Sequence, residues 1–226
     1  MALSKIDVEN MVAGEVNVAN GGTGLSSGTT NQFLKFTGST TLASAADNEG
    51  GLVKLITTTV SSSVASVDFD STYINSTYPT YKIIFKGLTL SGNDNLGIRF
   101  GASGSLNTSS DHIRAGMADS QGGTSFGGIS GTDATHFPFG GDHENMKGSV
   151  VQSGECTLYD LTTNNGNKTC VYHAMIDGAN SYRYNTKGFI RAASQQCNIL
   201  SLMTSGSATI DAGRVTLYGL KEWKNI

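Results

Sequence analysis

The sequence predicts an all-β protein, an antiparallel β-sandwich or jelly roll that carries an extended, Gly-rich N-terminal arm. Three observations lead there. Among 226 residues there are 29 Gly and 2 Pro, and only 15% are charged, with Ser, Thr and Asn filling the polar positions. Such a composition suits short strands joined by tight turns and lacks the Ala, Glu, Lys and Leu enrichment of helices. From residue 52 onward, strand signals recur at spacings of roughly 8–12 residues with no convincing amphipathic helix between them. The chain also changes character near Gly50 and Gly51. Before that point apolar residues are sparse and glycines cluster, as in Asn20-Gly21-Gly22-Thr23-Gly24. The expected organisation is an attachment or oligomerisation arm at 1–51 and a sandwich domain at 52–226.

In the arm, residues 4–11 carry a weak helix signal, with Ser4 as cap and Asp7 three residues on. Residues 31–36 (NQFLKF) and 40–43 (TTLA) read as two short strands about Thr37-Gly38-Ser39. A hairpin that small is marginal alone in water. Ordering ~50 residues costs on the order of 1–2 kcal/mol each in backbone entropy. With so little apolar surface, the arm is expected to order only against a partner; a flexible tail is the competing reading.

In the body, residues 52–60 and 63–69 open the strand series. The clearest strand spans 81–90: Tyr81, Ile83 and Phe85 face one way, Lys82, Ile84 and Lys86 the other. Residues 96–100 follow the turn Ser91-Gly92-Asn93-Asp94-Asn95, so these two strands read as a hairpin. Further strands are expected at 112–118, 149–161, 168–177, 188–193, 198–203 and 214–220. Thr163-Asn164-Asn165-Gly166-Asn167 is a hairpin loop joining 149–161 to 168–177. Lys82, Lys86, Lys187 and Arg191 are candidates for edge protection. Residues 119–145, Gly-rich with scattered aromatics, read as a long surface loop of the kind that often carries function.

The formal charge is −3, with no basic run, which argues against nucleic acid as a partner. No stretch approaches the ~20 apolar residues of a membrane span, and no signal peptide is expected. Cys156, Cys170 and Cys197, odd in number and widely spaced, read as free thiols packed in strands. His136 and His143 lie near Asp133, Asp142 and Glu144, but no HExxH pairing accompanies them, and His112 and His173 stand apart, so a polar loop is preferred to a metal site. No GxSxG elbow is present. A hydrolytic carboxylate pair drawn from Asp111, Asp119, Asp133 or Glu144 has no supporting pattern. No enzymatic activity, cofactor or metal is expected.

The stretch VANGGTGLSSGTTNQFLKFTGSTTLASA, from Val18 to Ala45, resembles a segment that recurs in tail-fibre and other virion proteins of tailed phages. The later domain resembles the β-sandwich at the ends of many such chains. It matches at Tyr81-Lys82-Ile83-Ile84-Phe85 with Gly87-Leu88, at 96–100 with Arg99, at 154–161 (GECTLYDL), and at 212–221 (AGRVTLYGLK). Each motif is weak alone; their order and placement carry the likeness. The resemblance implies a virion location on tail or capsid surface after synthesis in the host cytoplasm. It implies self-assembly, as a homotrimer or another symmetric form, contact with other virion proteins, and in some members host attachment. It implies no shared catalytic residues. The chain departs from the pattern in being short and lacking a repetitive shaft.

On this reading the assembly arm is carried by Val18, Gly21, Gly22, Thr23, Gly24, Phe33, Leu34 and Phe36, with glycines permitting close backbone contact. The alternative is a receptor-recognition module for host-surface polysaccharide. Its candidates are Phe126, His136, Phe137 and Phe139 in the long loop, and Tyr182, Arg183 and Tyr184 in a second loop. Packing of these aromatics on the sandwich or a neighbouring subunit is the competing reading. Trp223 reads as a cover for the domain edge.

Overall fold

The structure, a computed structural model, describes residues 28–30, 32–39, 41–45, 51–108, 112–120, 127–134, 136–139, 146–163, 167–177, 182–192 and 196–221. The chain divides into two compact units, Met1–Glu49 and Gly50–Ile226. No helix occurs among the described residues. The helix signal at 4–11 and Trp223 lie outside them.

In the first unit, β1 (Phe33–Phe36) and β2 (Leu42–Ala45) form a two-stranded antiparallel hairpin. Its second strand begins two residues later than the sequence suggests. The second unit holds two sheets. The larger runs in the order β3 (Gly51–Val60), β15 (Ile210–Lys221), β5 (Thr80–Leu90), β11 (Gln152–Tyr159), β12 (Asn167–Asp177), β13 (Tyr182–Ala192), β8 (His112–Ser120), β9 (Gly127–Ala134). The smaller runs β10 (Phe137–Pro138), β6 (Leu96–Ala102), β14 (Ile199–Thr204), β4 (Ser66–Phe69), with β7 (Ser105–Leu106) also paired to β6. All of these pairings are antiparallel.

Alternation along the strands sends one set of side chains into a single core. Tyr81, Ile83 and Phe85 of β5, Cys156 and Leu158 of β11, and Val215 and Leu217 of β15 meet Phe69 of β4, Ile98 and Phe100 of β6, and Leu200 and Leu202 of β14. The protein is therefore a β-sandwich. Aromatic rings join its layers. Phe139, just past β10, stacks on Phe85 with centroids 5.6 Å apart and on Tyr172 of β12 at 4.2 Å, both nearly parallel. Phe137 meets Phe100 edge-on at 5.1 Å.

Four expectations change. The strands at 80–90 and 96–102 do not pair; they belong to different sheets. The backbone of the turn between them is committed elsewhere: Ser91 N–H donates to Thr209 O and Asp94 N–H to Met146 O. Residues 119–145 are not one loop, because β9 and β10 lie within them. The glycines of 127–134 hide a strand from side-chain patterning, yet its backbone pairs with β8, as in Met117 opposite Gly128. Of the segment 180–185, also expected to be a loop, the described residues 182–185 are strand, since Tyr182 begins β13 and pairs with Asp177; residues 180 and 181 lie outside the described residues. Finally, Lys82 and Lys86 lie on β5 and Lys187 and Arg191 on β13, both interior strands, so none guards an edge. The hairpin of β11 with β12 matches the sequence expectation.

The pairing of β15 with β5 shifts register on either side of Ala212. Gly213 there has φ +121°, and a Cβ would sit 2.7 Å from the carbonyl oxygen of Gly87, so only glycine fits.

All three cysteines are free thiols in the core; Cys156 and Cys170 lie in strands as expected from the sequence, whereas Cys197 lies two residues before β14. Burial pushes the Cys156 thiol well up, helped by a hydrogen bond with Cys170. Burial also raises the Tyr172 phenol well above 10.0, with Cys156 and Cys170 close by. The Tyr172 hydroxyl is buried with no hydrogen-bond partner, which costs about 1–3 kcal/mol in a core. Tyr172→Phe is therefore expected to stabilise the protein by about 1 kcal/mol, seen as a melting temperature higher by roughly 2–4 °C. For an acid whose folded pKa is raised, stability is complete below the unfolded value and falls as pH climbs toward the folded one. Wild-type stability should thus decline above the ordinary Cys and Tyr values of 9.0 and 10.0. The Tyr172→Phe advantage should widen above pH 10.0; a melting curve unchanged by the substitution would contradict this account.

Candidate functional site

The hairpin of the first unit is built locally. Thr37 N–H donates to Thr41 O at 2.9 Å, closing the Thr37-Gly38-Ser39 tip. Ser44 Oγ accepts from Thr29 N–H at 3.1 Å and donates to Gln32 Oε1 at 2.8 Å, tying the preceding chain to β2. Directly opposed residues share a face. Leu34 with Ser44 and Phe36 with Leu42 make one face; Phe33 with Ala45 and Lys35 with Ala43 make the other.

Phe33, Leu34 and Phe36 are 62%, 50% and 69% exposed. Both faces thus present apolar surface that the hairpin cannot bury by itself. Leu34 and Phe36 are neighbours on one face and Phe33 stands on the other, and adjacent exposed apolar side chains mark interaction surfaces. The first 49 residues also carry five acidic side chains (Asp7, Glu9, Glu15, Asp47, Glu49) against two basic ones (Lys5, Lys35). That imbalance equals the net charge of the whole chain, −3.

No family model, curated protein or solved structure matches the chain.

Of the arm residues singled out in the sequence, Phe33, Leu34 and Phe36 come together in β1. Val18, Gly21, Gly22, Thr23 and Gly24 lie outside the described residues. The glycan candidates are dispersed. Phe137 and Phe139 are fully buried and cannot present a ring to a sugar; their apolar faces are consumed in joining the sheets. His136 is half-buried, and Phe126 lies outside the described residues. Tyr182, Arg183 and Tyr184 are strand positions opposite Asp177, Ile176 and Met175. Among the described residues no group of three His, Cys, Asp or Glu side chains could hold a metal. Asp111, Asp142, His143 and Glu144 lie outside them, and Asp119 and Asp133 are strand positions on β8 and β9.

Two polar anchors escaped the sequence reading. Asp94 is 6% exposed. Its Oδ1 accepts from Asn95 N–H at 2.7 Å, Ser205 Oγ at 2.9 Å and Gly206 N–H at 3.0 Å. Its Oδ2 accepts from Gly206 N–H at 3.0 Å and Ala208 N–H at 3.1 Å. A Cβ on Gly206 would lie 2.8 Å from this carboxylate. Lys168 is fully buried, and its Nζ donates to Thr163 O at 2.6 Å and Thr163 Oγ1 at 3.0 Å. Asp94 looked like an ordinary turn residue, and its main partners lie more than 100 positions away, so no local signal pointed to them.

Proposed function

We propose that this chain is a structural component of a phage virion, held in the particle by its N-terminal arm and displaying the sandwich. The observation that supports the reading is the exposed apolar hairpin of the first unit, none of whose residues belongs to the hydrophobic core described for the second. Among the described residues, every buried member of the hydrophobic core lies between Val60 and Leu217. The resemblance at 18–45 supplies the particle context. Self-association, with a homotrimer as the favoured form, and contact with other virion proteins would both cover the hairpin. The role calls for no catalytic group and no cofactor. The glycan-recognition alternative loses its aromatic loop, because Phe137 and Phe139 are core residues.

The test is deletion of residues 1–45, together with the full-length double variant Phe33→Ser/Phe36→Ser. The truncated chain should keep the melting temperature of the intact body and fail to enter particles. The double variant should enter at about a tenth of the wild-type level, the loss of ~1.4 kcal/mol or more of contact. Normal incorporation of the truncation would defeat the anchoring role.

A further inference from the structure

On β3, β15, β5 and β11, the outer face of the larger sheet, turned away from the core, concentrates positive charge. Register places Tyr218 of β15 opposite Lys54 of β3 on one side and opposite Lys82 of β5 on the other. Farther along the same strands, Arg214 stands directly opposite Lys86. Across the outward positions from Leu52 to Thr59, Arg214 to Leu220, Thr80 to Lys86 and Ser153 to Tyr159 there are four cations and one carboxylate. That carboxylate, Glu155, is ion-paired to Lys82 at 2.8 Å. Residues 50–226 carry thirteen basic and thirteen acidic side chains, so the face reflects segregation and not a general excess.

Two features show that this arrangement opposes the ordinary preferences of a sheet. Like charges directly opposite each other destabilise a strand pair, yet Arg214 and Lys86 are so placed. The register of β3 on β15 also shifts: Ile56 opposes Leu217 and Lys54 opposes Tyr218, leaving Leu55 as an extra residue. A bulge re-aims side chains. Without it Lys54 would share the inward direction of Ile56; with it, Lys54 is exposed.

We infer that this face binds a linear anionic polysaccharide, a sugar polymer bearing carboxylate groups. The inference concerns the body alone and is independent of the arm's role. A sheet face offers no pocket, so its ligand must be extended. Adjacent strands are about 4.8 Å apart, which sets Lys54 and Lys82 roughly 10 Å apart about the Tyr218 ring, and the Arg214–Lys86 pair about 13 Å farther along. Between these rows lie exposed Thr57, almost fully buried Thr216 and half-buried Ile84, with the two threonine hydroxyls 3.1 Å apart. Hydroxyls both donate and accept, which matches a polyhydroxylated chain better than an apolar one.

Nucleic acid fits less well, since its affinity rests on neutralising closely spaced phosphates with many Lys and Arg, and one of the four cations here is already paired to Glu155. A second copy packed face to face would set cations against cations. The exposed apolar residues Leu52, Leu220 and Tyr159 lie in a separate row at one end of the face, and the apolar surface within the charged region is confined to half-buried Ile84, opposite Thr216, and the Tyr218 ring, a narrow centre for a protein partner.

The experiment uses the full-length chain with three probes: polygalacturonate, neutral dextran and a duplex DNA. Polygalacturonate should bind, weakening about tenfold between about 50 and about 200 mM salt, while dextran should not. Lys54→Gln/Arg214→Gln should lower the affinity on the order of tenfold. Arg214→Gln should melt no lower than wild type, because it removes a like-charged neighbour. Four results would each overturn the inference: no polygalacturonate binding at the lower salt, DNA bound as tightly or more tightly, affinity unchanged in the double variant, or a dimer by light scattering that the double variant dissociates.

Discussion

Phe139→Ala is expected to cost the body about 4 kcal/mol, the range for a fully buried Phe truncated in a core. The ring lies flat between Phe85 and Tyr172, which belong to neighbouring parts of the larger sheet, while its backbone N–H donates to Leu96 O of the smaller one at 2.7 Å. Truncation would leave a cavity where the layers meet, and neither neighbouring ring can move in without leaving its own strand position. For a body of this size the melting temperature should fall by roughly 8–16 °C. The same substitution at Phe36, exposed on the hairpin, should shift body melting by no more than that of an ordinary surface change, ~0.5 kcal/mol. A fall of under about 3 °C for Phe139→Ala would show that the ring stack is not what joins the layers.

Asp94→Ala should cost about 3–4 kcal/mol. Three backbone N–H groups, of Asn95, Gly206 and Ala208, converge on this carboxylate with the Ser205 hydroxyl. Removing it leaves buried donors without their acceptor, at roughly 1–3 kcal/mol each before water relieves part of the loss. The loops at 91–95 and 205–208 would then part, exposing backbone amides that hydrogen exchange can read. Asp94→Asn should be milder, because one acceptor oxygen survives. Equal exchange at Gly206 and Ala208 in wild type and Asp94→Ala would contradict the assignment.

The clearest strand was legible because Tyr81, Ile83 and Phe85 alternate with charged or half-exposed neighbours, a period that needs only one buried face. The β11–β12 hairpin was legible because residues 163–167 carry turn chemistry at a hairpin length. Strand β9 was not: GGISGTDA offers almost no apolar period, and it pairs through backbone groups that every residue possesses. Phe137 and Phe139 were misplaced for a related reason. Glycines and polar residues around them suggested a loop, whereas burial was decided by the opposite sheet. In the candidate site, Phe33, Leu34 and Phe36 could be picked out as apolar residues in a poor setting. The basic outer face could not, since Lys54, Lys82, Lys86 and Arg214 become neighbours only through strand order.

The sequence alone determined the β class, the positions of most strands and the break in composition near Gly50, because backbone propensity, two-residue alternation and turn residues act over a few positions. The tertiary structure alone decided which strands are neighbours, that the chain changes sheets at Asp94, that Phe139 joins the layers, and that like charges share one face. Those outcomes depend on contacts between residues far apart in the chain, where a single carboxylate or ring can settle what local preference leaves open.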